Sequence, residues 1–394
     1  MSLASSIAKS FRTTICREAW YYLAVLAVIA GAAMFREINL LLVLAGMIAG
    51  PLWLSWREVA ANLRGLRVSR RMPQSICAGD LLVVHLELVN TRRRGSWAVA
   101  VEEPIRRAGR ATLQPGVFFS YVGPGQANER SYHGRLTERG RYEIGPVRLS
   151  TRFPFGLLKR TTTVGQSESV VVFPRLGRLT QAWLARHHEA FEGDQRHQQR
   201  SGRVEGQFYG TRYWRNGDSR RSIDWRSSAR RDRLVVRQYE QPHNRDVALV
   251  VELWQPVEPS KDDQDRVGLA VSFAATVIAD VCRKGDARLS LATTAAPDEP
   301  IAGPASTAIM HDCMRQLAVA EADDDDRLPR LLESALDQMG SGHEIIVIST
   351  RDVDLDDAGR FGRLRQEASR AAALRRVRVI STSGPTLARY FQVE

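Results

Sequence analysis

The residues whose types and spacing suggest chemistry are concentrated in one arginine-rich segment. Residues 175–245 contain sixteen arginines and eight acidic residues, which account for +8 of the chain's net charge of +12. Asp218 and Asp224 are spaced so that each carboxylate can accept two parallel hydrogen bonds from one guanidinium. The arginines that could donate these bonds are Arg212, Arg221 and Arg230. Gly217-Asp218 predicts a turn whose carboxylate caps the residues that follow.

An apolar anchor is predicted in the same segment, formed by Ile223, Trp225 and Ala229. Partly buried ion pairs fix the position of a loop more than they add stability. We therefore interpret residues 175–245 as a structural joint between two soluble parts.

A second interpretation of residues 205–237 is a binding surface for nucleic acid or anionic lipid. Its arginines alternate with aromatic residues, a combination that suits a phosphate backbone and stacked bases. The acidic residues in between favour internal pairing, and no recognised nucleic-acid motif is present. Binding of nucleic acid or anionic lipid is therefore the alternative to a structural joint. Of these partners, we do not expect nucleic acid.

Catalytic and cofactor chemistry finds no support in the sequence. Cys16, Cys77, Cys282 and Cys313 are scattered, and no Cys/His cluster has the spacing of zinc ligands. Residues 202–206 lack the lysine and the spacing of a phosphate-binding loop. We expect neither an enzyme nor a bound cofactor.

The elements that position these residues begin with a predicted transmembrane hairpin within residues 1–57. Two apolar runs, residues 20–35 and 38–56, would form helices of about 24 and 28 Å, against about 30 Å of hydrocarbon. Basic residues flank both outer ends, so the positive-inside rule predicts an inner-membrane protein whose soluble part faces the cytoplasm. The alternatives are a cleaved signal peptide and a hairpin buried in a globular core.

Residues 66–174 predict a β-sandwich of short strands separated by Gly and Pro turns. The strands are expected at 81–89, 97–101, 117–122, 126–136, 142–149 and 169–173.

Residues 246–394 alternate strands and helices, which predicts a doubly wound parallel α/β sheet. The strands are expected at 246–253, 288–294, 344–349 and 377–381, and the helices at 264–284, 307–320, 328–339 and 357–374.

The central segment closely resembles the signature of the bacterial family called domain of unknown function 58. The residues that carry the resemblance are Phe208, Arg212, Tyr213, Gly217, Asp218, Arg221, Ile223, Trp225, Ser228, Ala229 and Arg230, with Glu240 ending the strand that follows. Residues 139–142 and 153–157, and the paired apolar runs, are also similar to that family.

The resemblance implies a membrane-anchored protein with a β-rich middle and a von Willebrand factor A-like C-terminal domain. Such genes typically lie beside a MoxR-type AAA+ ATPase, and the role suggested is that of an adaptor in assembling envelope or metal-dependent complexes. We therefore expect a membrane-anchored interaction scaffold that acts with such an ATPase.

The metal site that the resemblance implies is degenerate in this chain. A von Willebrand A-like domain binds Mg²⁺ through D-x-S-x-S after its first strand. In this chain the positions of the Asp and the two Ser are taken by Glu252, Trp254 and Pro256. Trp and Pro offer no side-chain oxygen to a hard cation. We expect no metal, and a protein-docking face formed by Glu252, Trp254, Ser349, Thr350 and Asp352 at the carboxyl ends of the strands.

Overall fold

The computed structural model consists of two compact units, Met1–Arg175 and Leu176–Glu394. It describes residues 11–36, 39–108, 110–183, 185, 208–215, 218, 220–239, 246–285, 287–338, 344–384 and 386–393. The first unit holds two apolar helices and a set of β-sheets, and the second holds a small hairpin and an α/β sheet.

Two N-terminal helices, α1 (Arg17–Arg36) and α2 (Asn39–Asn62), are long and apolar enough to cross a membrane. Only 11% and 6% of the residues in their most apolar stretches are buried. That exposure contradicts the alternative of a hairpin buried in a globular core. Helix α2 continues six residues beyond the predicted end at residue 56, because Val59 and Asn62 are buried against the β-sheets of the same unit.

A strand that the sequence pattern did not predict, β1 (Phe11–Ile15), precedes α1 and pairs antiparallel with β12 (Leu158–Val164). Strands that agree with prediction are β4 (Leu81–Asn90), β5 (Ser96–Glu102), β8 (Gly116–Val122), β9 (Ala127–Arg135) and β13 (Glu168–Phe173). The remaining strands are β2 (Leu66–Arg71), β3 (Ser75–Cys77), β6 (Ile105–Arg107), β7 (Arg110–Leu113), β10 (Gly140–Ile144) and β11 (Val147–Thr151).

These strands form three sheets, with the orders β1-β12-β11-β5-β8, β3-β13-β10-β6-β7 and β2-β4-β9. The single strand predicted at 142–149 is wrong. Gly145 (φ 94°) and Pro146 break it, so β10 and β11 belong to different sheets. Side chains from all three sheets share one apolar core, to which β4 contributes every second residue from Leu82 to Leu88. The unit is therefore β-rich with a common core, as the alternation in β4 predicted.

The second unit begins with β14 (Gly177–Leu179), which pairs with the C-terminal strand β22 (Phe391–Val393). The arginine-rich segment follows as a hairpin of β15 (Phe208–Tyr213) and β16 (Val235–Tyr239). A 3₁₀ turn (Arg220–Ser222) and a short helix, α3 (Trp225–Arg231), connect the two strands.

The α/β sheet has the strand order β19-β18-β17-β20-β21. Four strands are parallel: β17 (Val247–Glu252), β18 (Arg288–Thr293), β20 (Glu344–Ser349) and β21 (Arg378–Ser381). The expectation of a wholly parallel sheet is wrong, because β19 (Ala296–Pro304) pairs antiparallel with β18 at the edge. Prolines at 297, 300 and 304 argue against a central strand, but an edge strand tolerates them.

Helices cover both faces of this sheet. On one face lie α6 (Leu328–Gln338), α7 (Ala358–Gln366) and α8 (Ala368–Leu374), which share a core with Ala248 and Val250 of β17. Helices α4 (Lys261–Lys284) and α5 (Thr307–Val319) contact the sheet as well, and α9 (Thr386–Tyr390) precedes β22. The predicted helix 357–374 is in fact two helices, because Glu367 has an extended backbone (ψ 124°).

Candidate functional site

The arginine-rich hairpin is held together by a bidentate ion pair. Both guanidinium Nη atoms of Arg212 donate to Asp218, each at 2.7 Å, and the backbone N–H of Arg215 donates to the same carboxylate at 2.8 Å. These hydrogen bonds lower the pKa of Asp218 below its usual range, with the Arg212 bond the largest contribution. The pairing of Asp218 with Arg212 that the sequence predicts is therefore present.

Asp224 has a different partner from those the spacing predicts. Its side chain caps helix α3 by accepting from the backbone N–H of Ser227 at 3.2 Å, and Arg237 Nε donates to its other oxygen, also at 3.2 Å. The cap bond is the main cause that lowers the pKa of Asp224. Arg237 lies on the neighbouring strand β16 and is not among the three arginines that the spacing predicts, whereas Arg230 is exposed in the last turn of α3.

Ser228 connects the helix to the strand that follows it. Its buried hydroxyl donates to the carbonyl of Asp224 at 2.8 Å and accepts from the backbone N–H of Val235 at 2.9 Å. A small residue with one donor and two acceptor positions is needed here, because the N–H of Val235 is buried. This explains on structural grounds why a serine occupies this signature position.

The predicted apolar anchor is only partly formed. Ile223 is 9% exposed, but Trp225 is 67% exposed and Ala229 is exposed as well. Trp225 is the first residue of α3, and of the three residues only Ile223 is buried. Tyr213 is also half exposed, and Arg233 lies over its ring at 6.0 Å. Gly217 and Glu240 lie outside the described residues, and so do the side chains of Phe208 and Arg221.

The predicted docking residues meet at the carboxyl edge of the α/β sheet. Glu252 ends β17 and Ser349 ends the adjacent β20, and the serine hydroxyl donates to the Glu252 carboxylate at 2.6 Å. Just beyond them, the N–H of Trp254 donates to the Thr350 hydroxyl at 2.9 Å, which in turn donates to the Trp254 carbonyl at 2.6 Å. The parallel register therefore brings four of the five predicted residues together.

Three residues that the sequence analysis missed complete this edge: Asp326, Arg351 and Arg360. Arg351 and Arg360 donate to Glu252 at 2.6 and 3.0 Å, and both also donate to Asp326. The Glu252 side chain is 1% exposed and that of Arg360 17%. Arg351 also stacks on Trp254, with its guanidinium carbon 4.9 Å from the ring centroid. Asp326 is the last of four consecutive aspartates, residues 323–326.

Charge balance governs this network of Glu252, Asp326, Arg351 and Arg360. Burial raises the pKa of Asp326, but hydrogen bonds from Arg360 and the charges of both arginines outweigh burial and lower it below its ordinary value. Burial likewise lowers the pKa of Arg360, and Asp326 and Glu252 more than compensate by raising it. Each charged form is therefore stabilised by its partners.

A Mg²⁺ ion does not fit these residues. Both carboxylate oxygens of Glu252 already accept hydrogen bonds, Oε2 from Ser349 and Oε1 from the two guanidinium groups. Within the described part of the chain, no group of three or more His, Cys, Asp or Glu side chains could hold a metal. The guanidinium groups of Arg351 and Arg360 thus bind the carboxylate oxygen of Glu252 that a cation would need.

Asp352 does not join the Glu252 network. Its carboxylate accepts a hydrogen bond from Ser383 at 2.8 Å, beyond the end of the neighbouring strand β21. Hydrogen bonds from Ser383 and Ser381 lower the pKa of Asp352 below its usual range. It is exposed and adds a negative charge farther along the same edge.

A cleft of about 570 Å³ adjoins the network between β19 and the start of α6. Pro297 and Pro300 contribute its apolar lining, and Asp326 and Arg330 contribute charges of both signs. Because Asp326 lines the cleft and also bonds Arg351 and Arg360, one side of the cleft is fixed by the ion-pair network.

Comparison with known proteins gives one family match. The family model described as "Protein of unknown function DUF58" matches residues 210–344, which contain both the arginine-rich hairpin from Gly210 onward and the start of the α/β sheet. The uncharacterised protein YeaD of Bacillus subtilis (strain 168) is 24% identical over 232 residues, covering 57% of this chain and 54% of YeaD. The match thus spans about half the length of that curated relative.

Solved structures show only low similarity. The CARDB domain of the PF1109 protein from Pyrococcus furiosus is 16% identical with a TM-score of 0.20, covering 27% of this chain and 91% of that domain. A β-glucosidase from Listeria innocua is 11% identical with a TM-score of 0.19, covering 27% of this chain and 16% of the enzyme. Neither likeness supports an inference about function. Over residues 210–344, therefore, this chain is similar to the family described as "Protein of unknown function DUF58".

Proposed function

We propose that the protein is a membrane-anchored scaffold that docks a partner protein at the carboxyl edge of its α/β sheet. The observation that carries the proposal is the attachment of both ends of the N-terminal hairpin to one β-sheet. Strand β1 pairs with β12 up to Ile15, and only Cys16 separates Ile15 from the first residue of α1, Arg17. At the other end, the side chain of Asn62 donates to the Trp97 carbonyl at 2.6 Å and to the Thr151 hydroxyl at 3.0 Å.

This attachment supports a hairpin that crosses the membrane twice. The strand before α1 and the last residue of α2 are both bonded to the same sheet. Both ends of the helix pair must therefore lie on one side of the bilayer. A signal peptide cleaved near Gly31 would remove β1 from its sheet, so the β1–β12 pairing favours the hairpin. The arginines that flank it favour the cytoplasmic side.

The carboxyl edge has the features of a preformed docking surface. Trp254 is held on two sides, by Arg351 against its ring and by a hydrogen bond from its Nε1 to the Asp324 carbonyl at 3.0 Å. Rigid side chains lose little conformational entropy when a partner binds. A doubly wound sheet with these residues after its first strand, β17, also supports the von Willebrand A-like fold that the family resemblance implies.

A MoxR-type AAA+ ATPase is the partner that the resemblance to the domain of unknown function 58 family implies. The charged cleft beside Asp326 suits a protein surface with exposed charges of both signs. In this proposal the hairpin holds the complex at the membrane, and the sheet edge binds the ATPase during assembly of envelope complexes.

Site-specific photo-crosslinking in native membranes tests the docking edge. A benzoylphenylalanine placed at Val257, which is 81% exposed in the loop after β17, should crosslink to the ATPase. The matched control is the same residue at Leu81, which is 54% exposed on the first unit. Trp254→Ala should reduce the crosslink at position 257. The proposal fails if mass spectrometry finds the same products at both positions, or finds no ATPase or envelope protein at position 257.

A second candidate function is binding of nucleic acid or anionic lipid through residues 205–237. The observation in its favour is helix α3, which exposes Trp225 together with Arg226, Arg230 and Arg231. Binding to single-stranded DNA or to anionic vesicles that falls steeply with salt, and that Trp225→Ala with Arg226→Ala removes, would support it. Salt-independent or undetectable binding would refute this second function, and the scaffold would then be the remaining proposal.

A further inference from the structure

The end of the β1-containing sheet at which both hairpin helices attach is here called the hairpin base. It comprises Ile15 at the end of β1, the turn of residues 152–157 between β11 and β12, and Trp97 at the start of β5. The turn is tied to the start of α1, because the N–H of Cys16 donates to the Leu157 carbonyl at 3.0 Å. The ring of Phe153 in that turn stacks on Trp97, with centroids 5.9 Å apart.

The helix lengths place the hairpin base at the height of the lipid headgroups. Asn62, which bonds Trp97, lies six residues beyond Trp56 at the end of the apolar run, or about 9 Å along the helix axis. At the other end, α1 begins three residues before Trp20, about 4.5 Å. A headgroup layer is roughly 5–8 Å thick on each side of the hydrocarbon. The end of the base at α1 therefore falls within that layer, and the end at Asn62 lies at its outer boundary.

Apolar side chains are exposed at this base. Phe155 is 53% exposed at the tip of the 152–157 turn, Ile15 is 50% exposed, and Trp97 is 46% exposed. Exposed aromatic residues next to a membrane span favour the interface, where their rings lie among the headgroups. Ile15 lies two residues before α1, Trp97 bonds Asn62 at the end of α2, and Phe155 lies in the turn that Cys16 bonds.

Two arginines lie close in sequence to this base, Arg160 two residues into β12 and Arg64 two residues beyond Asn62. The guanidinium of Arg160 lies 4.5 Å above the ring of Phe11, and its Nε is buried with no hydrogen-bond partner among the described residues. Burial, and then the charge of neighbouring Arg64, lower the pKa of Arg160. The acidic residues on the adjoining helix turns are Glu18 and Glu58, and Glu58 is paired with Arg57 at 4.0 Å. Within the part of the chain that the structure describes, therefore, no carboxylate pairs with Arg64 or Arg160 as Asp218 pairs with Arg212.

We propose that the hairpin base is a lipid-contacting surface that places Phe155 and Trp97 among the headgroups and binds the phosphate groups of anionic lipids through Arg64 and Arg160. A guanidinium pair donates several hydrogen bonds to a phosphate, and the negative potential of an anionic leaflet extends over about one Debye length, 8–10 Å. The proposal rests on the membrane-spanning hairpin proposed above.

Lipid photo-crosslinking on the full-length protein tests the contact. Benzoylphenylalanine at position 155 in nanodiscs of phosphatidylcholine and phosphatidylglycerol should form lipid adducts at least tenfold more often than the same residue at position 81. Leu81 is a matched control because it is similarly exposed but lies far from the hairpin base. It is the first residue of β4, and the last residue of that strand, Asn90, bonds the carbonyl of Val122 beside the hairpin base. The ten residues of β4 span about 30 Å.

Charge reversal tests the choice of lipid. Arg64→Glu should lower the share of phosphatidylglycerol among the adducts at position 155 several-fold. Arg135→Glu changes the net charge equally at the Leu81 end of the sheet, and should leave that share unchanged. Arg64→Gln should give an intermediate share, because it removes the positive charge without adding a negative one.

Alkaline carbonate extraction separates this proposal from the hairpin itself. If carbonate strips the protein from the membrane, the anchor and the lipid-contacting surface both fail. If the protein resists extraction but positions 155 and 81 form adducts equally, only the lipid-contacting surface is refuted. If adducts form at position 155 but Arg64→Glu leaves the phosphatidylglycerol share unchanged, phosphate binding by Arg64 is refuted.

Discussion

Replacing Glu252 by glutamine should destabilise the α/β sheet strongly, although the two side chains have nearly the same shape. The substitution leaves the guanidinium groups of Arg351 and Arg360 facing a neutral amide at a site where the Glu252 side chain is 1% exposed. Asp326 still bonds both arginines, so their charge is only partly uncompensated. The loss therefore belongs at the lower end of the values measured for broken buried ion pairs.

Removing one partner of a buried pair costs about 3–5 kcal/mol, because the remaining charge stays desolvated. With Asp326 as a remaining partner, we expect the free energy of opening of β17 and β20 to fall by about 3 kcal/mol. Since 1.4 kcal/mol is a factor of ten, the amides of these strands should exchange roughly 100-fold faster.

Hydrogen exchange with mass spectrometry on the full-length protein in nanodiscs measures this effect strand by strand. The matched control is Glu258→Gln, the same chemical change at an exposed side chain six residues later, for which we expect less than about 0.5 kcal/mol. Peptides from β10 and β13 of the first unit provide an internal reference. Equal exchange in Glu252→Gln and Glu258→Gln would show that the network does not stabilise the sheet edge.

Three further predictions concern other parts of the molecule. Ser228→Ala should lower the stability of the arginine-rich hairpin by about 1–3 kcal/mol, measured by exchange of the Val235 amide, because that buried N–H loses its acceptor. Asn62→Ala should speed exchange at Trp97, since three hydrogen bonds join Asn62 to Trp97 and Thr151. The pKa of Asp326 is below its ordinary value of 3.8, so its stabilisation is fully present above that pH and is lost as the pH falls through the lowered pKa.

Each of these predictions has a control. Ser290→Ala in β18 tests whether any serine removal in this unit speeds exchange at Val235; if it does, the Ser228 hydroxyl has no special role. For Asn62, exchange at Trp97 that matches the wild type refutes the contribution of its hydrogen bonds. The pH effect should vanish in Asp326→Asn after correction for intrinsic exchange rates, and its persistence would assign it to another carboxylate.

Elements with strong periodicity could be predicted from the sequence. The alternation of Leu82 and Val84 with His85 located β4, and the buried run 247–252 located β17, because in both cases burial follows directly from side-chain type. Strand β1 could not be predicted in this way. Its five residues are all exposed, and they form a strand because β12 offers unpaired backbone groups to them.

The same distinction applies to the candidate site. The sequence located Glu252, Ser349 and Thr350, because residues that end adjacent parallel strands must meet at one edge. It did not reveal that Arg351 and Arg360 neutralise Glu252, since Arg360 lies 108 residues away and reaches the carboxylate only through the packing of α7. Long-range pairing of charges depends on tertiary structure, which a local pattern does not contain.

The pairing of β1 with β12 also constrains the order in which the chain can be completed. Thr14 and Lys159 are 145 residues apart, and the whole hairpin lies between them, so the sheet cannot close during synthesis until β12 has left the ribosome. Until β1 pairs with it, β12 carries an open edge on the side opposite to β11. An open edge strand is a template for aggregation. The short strand β1 therefore covers the edge of β12 only after β12 has been synthesised. A truncation that removes the chain through residue 15 would leave this edge exposed beside the membrane.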